Sequence, residues 1–157
     1  MNKSEIENKL LEIFEICALH LKRMRFSHDK VTPFIPLNRN NYYEMDDETI
    51  SFLDQYIFRF SKLQDTMGSR LFPTLMDYFA EPMNDRPFID LLNRLERLGI
   101  LDSAINWIEL RKVRNDIAQE YPTSLPERIE GINILFDQFN TLNEVVERCK
   151  KMISIEQ

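Results

Sequence analysis

Residues 102–122 read DSAINWIELRKVRNDIAQEYP, and the architecture follows from this stretch. Ile105, Trp107, Ile108, Leu110, Val113 and Ile117 recur at helical steps and supply its apolar set. Asp102 or Ser103 offers the short polar side chain that takes a free backbone N–H of a first helical turn. Pro122 stops the run after Tyr121, because a proline pushes the residue before it out of the helical region. The rest of the surface is polar. At ~100° per residue, Arg114, Ala118 and Tyr121 share one stripe, with Arg111 a turn upstream of Arg114. Asn115 and Gln119, four residues apart, share the adjoining stripe. Such a face is either a polar cleft or ordinary solvated surface in which Asp116 and Glu120 balance the arginines.

Outward from this helix the same period repeats. A first helix is expected from about Ser4 to Arg25, with Ser4 and Glu7 at capping-box spacing and Ile6, Leu10, Ile13, Phe14, Cys17, Leu21 and Met24 on one stripe. A long connection is expected from Phe26 to Asp46, broken by Pro33 and Pro36. The second helix begins at Asp46 or Asp47 and carries Ile50, Leu53, Ile57, Phe60, Met67 and Leu71, with Gln64 on the stripe and Asp65 beside it. Pro73 falls inside that pattern, which predicts a kink before the helix continues through Phe79. A short third helix follows Pro87, buries Phe88, Leu91, Leu92, Leu95 and Leu98, and stops at Gly99. The fifth starts at Ser124, with Pro126 and Glu127 in its first turn, and runs on through Ile129, Ile132, Phe136, Phe139, Leu142, Val146 and Cys149. About five amphipathic helices on mostly short links predict an all-α, up-and-down antiparallel bundle in one domain spanning residues 1–157.

Bulk composition agrees. The chain has 157 residues, 43% hydrophobic and 29% charged, the balance of a folded globular domain. Only three glycines leave little material for tight β turns. Apolar runs fall well short of the ~20 residues of a membrane span, and the N-terminus lacks a basic leader before an apolar core, so a cytoplasmic protein is expected. Cys17 and Cys149 sit on apolar stripes and read as reduced, buried thiols; with His20 and His28 they show no zinc spacing, so no metal is expected. The sequence has no Gly-rich phosphate loop, no nucleophile elbow and no His-Glu-x-x-His, and no cofactor is expected. A net charge of −6 argues against coating duplex DNA, while leaving room for RNA in a local basic cleft. Two basic clusters exist, Lys22 to Lys30 and Arg111 to Arg114; either can equally be a solvated helix face.

The run Arg114-Asn115-Asp116-Ile117-Ala118-Gln119-Glu120-Tyr121 resembles the Arg-Asn-x-x-x-His-x-Tyr motif of HEPN proteins, in particular the HepT-like branch. Phe60-Ser61-Lys62-Leu63-Gln64-Asp65-Thr66-Met67-Gly68 is similar to that branch's second helix, and Leu98-Gly99-Ile100-Leu101 into Trp107-Ile108-x-Leu110-Arg111 is similar to its approach to the motif. The resemblance covers residues 45 to 145. It implies a bundle that dimerises, with the motif helices lining a cleft on the two-fold axis, and a minimal nucleotidyltransferase as partner in a toxin–antitoxin pair. It implies metal-independent RNA cleavage, with Arg114 on the scissile phosphate and Arg111, Asn115 and Asp65 around the RNA. Tyr121 stands where HepT-like members accept adenylyl groups from the partner enzyme. Asp65, on this reading, orients Arg114 through a charge-assisted pair; it can also be plain helix surface or a register-setting polar contact.

The chain departs from the motif where the chemistry is decided. Gln119 stands in the histidine position, and a neutral amide has no proton to exchange near pH 7. Gln119 can still hydrogen-bond a phosphate or a base. The expectation is therefore an attenuated or inactive RNase-type site. The alternative is a non-catalytic binding partner of a nucleotidyltransferase, and a third possibility is a helical scaffold without a site.

Overall fold

The computed structural model describes residues 1–119 and 124–156. Asn2, rather than Ser4, starts the first helix: its Oδ1 accepts from the Glu5 N–H at 2.8 Å, and helix α1 runs over Lys3–Val31. It is longer than the apolar stripe alone suggested. Ser27 holds the extension by donating its hydroxyl to the Arg23 and Met24 carbonyls, and the aromatic contacts of His28 pin the last turns. The expected loop after Phe26 is thus partly helix. Beyond α1 lie a 3-10 turn at Thr32–Phe34 and helix α2, Arg39–Glu44, closed at its start by a reciprocal Asn38–Asn41 capping box.

Asp46 caps helix α3, Asp47–Thr66, as its position predicts: its Oδ1 accepts from Thr49 N–H at 2.8 Å. The irregularity expected at Pro73 lies just upstream. Residues Met67–Leu71 form a π-helical turn, in which the Phe72 N–H reaches back to Met67 O, and helix α4 then covers Phe72–Tyr78. The cause is local. Proline has no N–H for the carbonyl four residues back, and its ring crowds that carbonyl; one widened turn relieves both problems. Helix α5 spans Phe88–Arg97 with Pro87 as its cap residue. Gly99, at φ 77°, ends it: that left-handed angle lets the Ile100 N–H bond back to Leu95 O at 3.0 Å.

Helix α6, Ala104–Ala118, starts on Ser103, whose hydroxyl accepts from Asn106 N–H at 3.1 Å. Helix α7, Leu125–Asp137, starts on Ser124. The single fifth helix of the sequence reading is two, because α7 breaks at Gln138 before helix α8, Phe139–Glu156. At the break the Leu135 carbonyl takes the Gln138 N–H, 3.4 Å away, and Tyr56. Its buried phenol donates to the Leu135 carbonyl at 2.7 Å, and this is the carbonyl that the Phe139 N–H would use in an uninterrupted helix.

Neighbouring helices run antiparallel. Along α1 and α3, His20 meets Arg59, His28 meets Tyr56 and Lys30 lies over Phe52, so the two numberings run in opposite directions. Along α3–α4 and α6, Gln64 meets Arg114 while Phe72 packs on Trp107 with ring centroids 5.0 Å apart. The core between them is aromatic and aliphatic: Tyr56, Phe60, Phe72, Leu10, Ile13 and Met24 are fully buried. Each such side chain contributes about 1.5–3 kcal/mol on leaving water. Of the apolar set of α6, Ile105 and Ile108 are 65% and 43% exposed. Trp107, Leu110, Arg114 and Ile117 take the inward stripe of α6 instead. Cys17 and Cys149 are free and buried, as expected, and burial pushes their thiols up to about 11 and about 12. Among the described residues, no helix is long and apolar enough to cross a membrane.

Candidate functional site

An arginine on the inward stripe of an amphipathic helix needs partners, because an unpaired buried guanidinium is prohibitively costly. Arg114 is 7% exposed and finds two partners on the helix opposite. Its Nε donates to Gln64 Oε1 at 3.1 Å, and its Nη2 donates to Asp65 Oδ1 at 2.7 Å. The pair expected between Asp65 and Arg114 is therefore present. Gln64 adds a second point of attachment, which fixes the guanidinium plane. The two acceptors differ in setting: Gln64 is 2% exposed, whereas the Asp65 side chain is 56% exposed. The ion pair thus has one end in the core and one at the surface.

That surface end opens on a cleft of about 320 Å3. Gln64 and Asp65 of α3, Gly68 and Ser69 of the π-helical turn, Phe88 of α5, and Trp107 and Arg111 of α6 form its walls. Each element has a local reason to be there. The π turn widens the helix at Gly68, and an added Cβ at Gly68 would lie 3.4 Å from the Phe88 ring, so the bare Cα lets that ring close one side. Arg111 sits above Phe88, its guanidinium carbon 5.7 Å from the ring centroid, which places a cation at the mouth. Trp107 is held from behind by Phe72.

The sequence-derived site residues divide among these positions. Arg111 and Asp65 line the cleft, and Arg114 lies directly behind Gln64 and Asp65. Asn115 is half-buried on α6. Gln119 follows the last residue of α6, exposed, with its backbone N–H on Asn115 O at 2.9 Å, and it does not line the cleft. Five residues of helix separate it from Arg114, a rise of about 7.5 Å. Tyr121 lies outside the described residues. His20 and His28, the only histidines, are engaged elsewhere. His28 stacks on Phe136 and Phe139 at 5.1 and 5.3 Å. His20 Nδ1 is 3.2 Å from Arg59 Nη1, where it accepts as a neutral ring; burial, with the Arg59 and Lys62 charges, lowers its pKa. Tyr42, Tyr43 and Phe34 of the segment after α1 do not line the cleft, and Tyr42 and Phe34 pack on the core.

Phe88, Trp107 and Ser69 were missed as site residues. Phe88 and Trp107 read as apolar helix positions from periodicity, and only their shared place in the cleft lining sets them in the site. A larger groove of about 610 Å3 runs between α2 and α7, but the amide of Asn133 in its lining is spent on Leu37, donating to its carbonyl and accepting from its N–H. Among the described residues no cluster of His, Cys, Asp and Glu is arranged to hold a metal. Compared with family models, curated proteins and solved structures, the chain matches none.

Proposed function

We propose that the chain is a HepT-like HEPN component of a toxin–antitoxin pair, working in the cytoplasm as a homodimer beside a minimal nucleotidyltransferase. Its Arg114 cleft serves single-stranded RNA, with cleavage attenuated by Gln119. The observation that carries this reading is the doubly anchored guanidinium of Arg114 behind an open cleft. Well-packed apolar residues in place of a whole buried ion pair are often as stable or more so, so the pair supports a use beyond stability. Arg114 Nη1 makes no hydrogen bond to a described residue, and on this reading a phosphate oxygen that enters past Asp65 takes it up. Arg111 at the mouth supplies a second positive charge for the RNA backbone.

On this reading Arg114 steadies the charge that develops on the phosphate, and the proton transfer that a histidine would perform is missing. The experiment is cleavage of single-stranded RNA by the purified dimer, before and after Gln119→His. Restoring the imidazole raises the rate by about 10²–10⁴-fold, and Arg114→Met abolishes the gain. RNA binding without cleavage in both proteins favours the non-catalytic partner, the reading that the neutral Gln119 also supports. A folded monomer with neither RNA binding nor affinity for a nucleotidyltransferase contradicts both.

A further inference from the structure

Helix α1 is apolar on two sides. Its inward stripe holds Leu10, Ile13, Cys17 and Met24, all fully buried. At ~100° per residue the opposite face carries Leu11, Glu15, Ala18, Leu19, Lys22 and Phe26, all exposed. Three of these are large apolar groups in contact with water: Leu11, Leu19 and Phe26 are 60%, 46% and 54% exposed. Single exposed apolar residues are ordinary on a protein surface, whereas a second aligned stripe, about 22 Å long, is the mark of a helix that is covered on that side too. Among the described residues, Glu15 and Lys22 form no ion pair within the chain, and the neighbours of each along the stripe, one turn away, are apolar. Both charges are therefore available to a partner.

The order of residues on that face names the partner. Turned end for end, the stripe meets itself. When a second α1 lies antiparallel, centred between Ala18 and Leu19, Leu11 faces the second copy's Phe26, Glu15 faces its Lys22, and Ala18 faces its Leu19. Each contact then occurs twice about a two-fold axis, as an interface between identical surfaces requires. Parallel pairing in register sets Glu15 against Glu15 and Lys22 against Lys22, so charge selects the antiparallel direction. The rest of the helix follows the same plan: between Leu10 and Arg25 its charges are Glu12 and Glu15, then Lys22, Arg23 and Arg25. We infer that the outward face of α1 is an antiparallel, two-fold interface with a second copy of this chain. No α1 residue lines the Arg114 cleft, so each copy keeps its own cleft open. This two-fold axis differs from the one on the motif helices that the HepT resemblance implies. The inference shares with the proposed function only the second copy, and it stands whether or not the cleft takes RNA.

One helix pair of this length is a small interface, so dimers form in about the micromolar range, and sedimentation velocity over a concentration series of the full chain reads them. Glu15→Lys and Lys22→Glu each set like charges together twice, and each weakens dimerisation at least about tenfold; the double variant, Glu15→Lys with Lys22→Glu, restores it. Both positions are exposed, and circular dichroism confirms that the variants stay helical. Cross-linking reads the direction. Leu11→Cys and Phe26→Cys chains, mixed, are joined by a short bismaleimide, whereas Leu11→Cys alone is not, because its two copies lie about 22 Å apart along the helices. The native Cys17 and Cys149 are buried and do not compete. A monomer at every concentration overturns the inference and leaves the stripe to a different protein. A dimer untouched by either charge reversal, or a double variant no better than the single ones, overturns it and moves the homodimer to another face. RNA affinity on the same samples decides the cleft separately: the charge reversals act on self-association, Arg114→Met on RNA.

Discussion

Replacing Arg114 by methionine keeps an unbranched stem of similar bulk and removes the guanidinium. Two acceptors lose a partner, and they are not equivalent. Gln64 Oε1 is buried, and stranding a buried acceptor costs about 1–3 kcal/mol. Asp65 is 56% exposed and regains water, so its share is that of a surface pair, about 0.2–1 kcal/mol. Arg114→Met should therefore cost about 1.2–4 kcal/mol, and Asp65→Ala, which leaves the buried guanidinium without its carboxylate, at least as much. For a chain of this length the first is a fall in melting temperature of roughly 2–16 °C and the second a fall at least as large. Urea denaturation of the two single variants and of the double variant gives the pairwise coupling directly. A loss under about 0.5 kcal/mol for Arg114→Met, or a smaller loss for Asp65→Ala than for Arg114→Met, refutes the reasoning that the buried guanidinium depends on its carboxylate as well as on Gln64.

Tyr56→Phe removes one of the two donors on the Leu135 carbonyl, which keeps the Gln138 N–H; a loss of about 0.5–1.5 kcal/mol is expected in urea denaturation, with faster amide exchange around the α7–α8 joint. Gly131→Ala would bring a Cβ within 2.9 Å of Ile117 Cδ1 and 3.1 Å of Cγ1, so the α6–α7 contact must spread at a cost of about 1–3 kcal/mol, read as a lower urea midpoint. His20 has a lowered folded pKa, so the unfolded chain binds more protons between the folded value and about 6.5. Stability contributed by the neutral ring is present above about pH 6.5 and is lost as pH falls through that window; a pH series of denaturation curves shows the slope in wild type and its absence in His20→Gln. In the native chain, Cys17 and Cys149 resist iodoacetamide at pH 8, because their thiols are raised to about 11 and about 12, and both react once the chain is unfolded, which mass spectrometry counts.

The helical bundle was legible because each helix carries its own punctuation. Asp46, Ser103, Ser124 and Gly99 start or stop helices where their chemistry says they should, and apolar periodicity fills the intervals. What sequence could not show is where a tertiary contact overrides that local pattern. The carbonyl at the α7–α8 break takes a phenol 79 residues away, and nothing between Ile129 and Cys149 announces it. The extension of α1 to Val31 depends on contacts of His28 with Phe136 and Phe139. The exposure of Ile105 and Ile108 was not legible because α6 has apolar residues on two sides, and period alone does not say which stripe meets the neighbour. In the site, the Asp65–Arg114 pair was foreseeable from two separated segments, whereas the second anchor at Gln64 and the aromatic walls required the crossing of α3 and α6 in space.

The most direct test is the affinity of a short single-stranded RNA for the folded chain and for Arg114→Met, measured side by side by fluorescence anisotropy at fixed salt. Wild type binds, and the variant, still helical by circular dichroism, binds at least about tenfold more weakly, since a hydrogen bond to a charged group contributes about 1.5–3 kcal/mol. Equal affinity in the two proteins, or none in wild type, would leave the buried guanidinium as a clamp between two helices and nothing more.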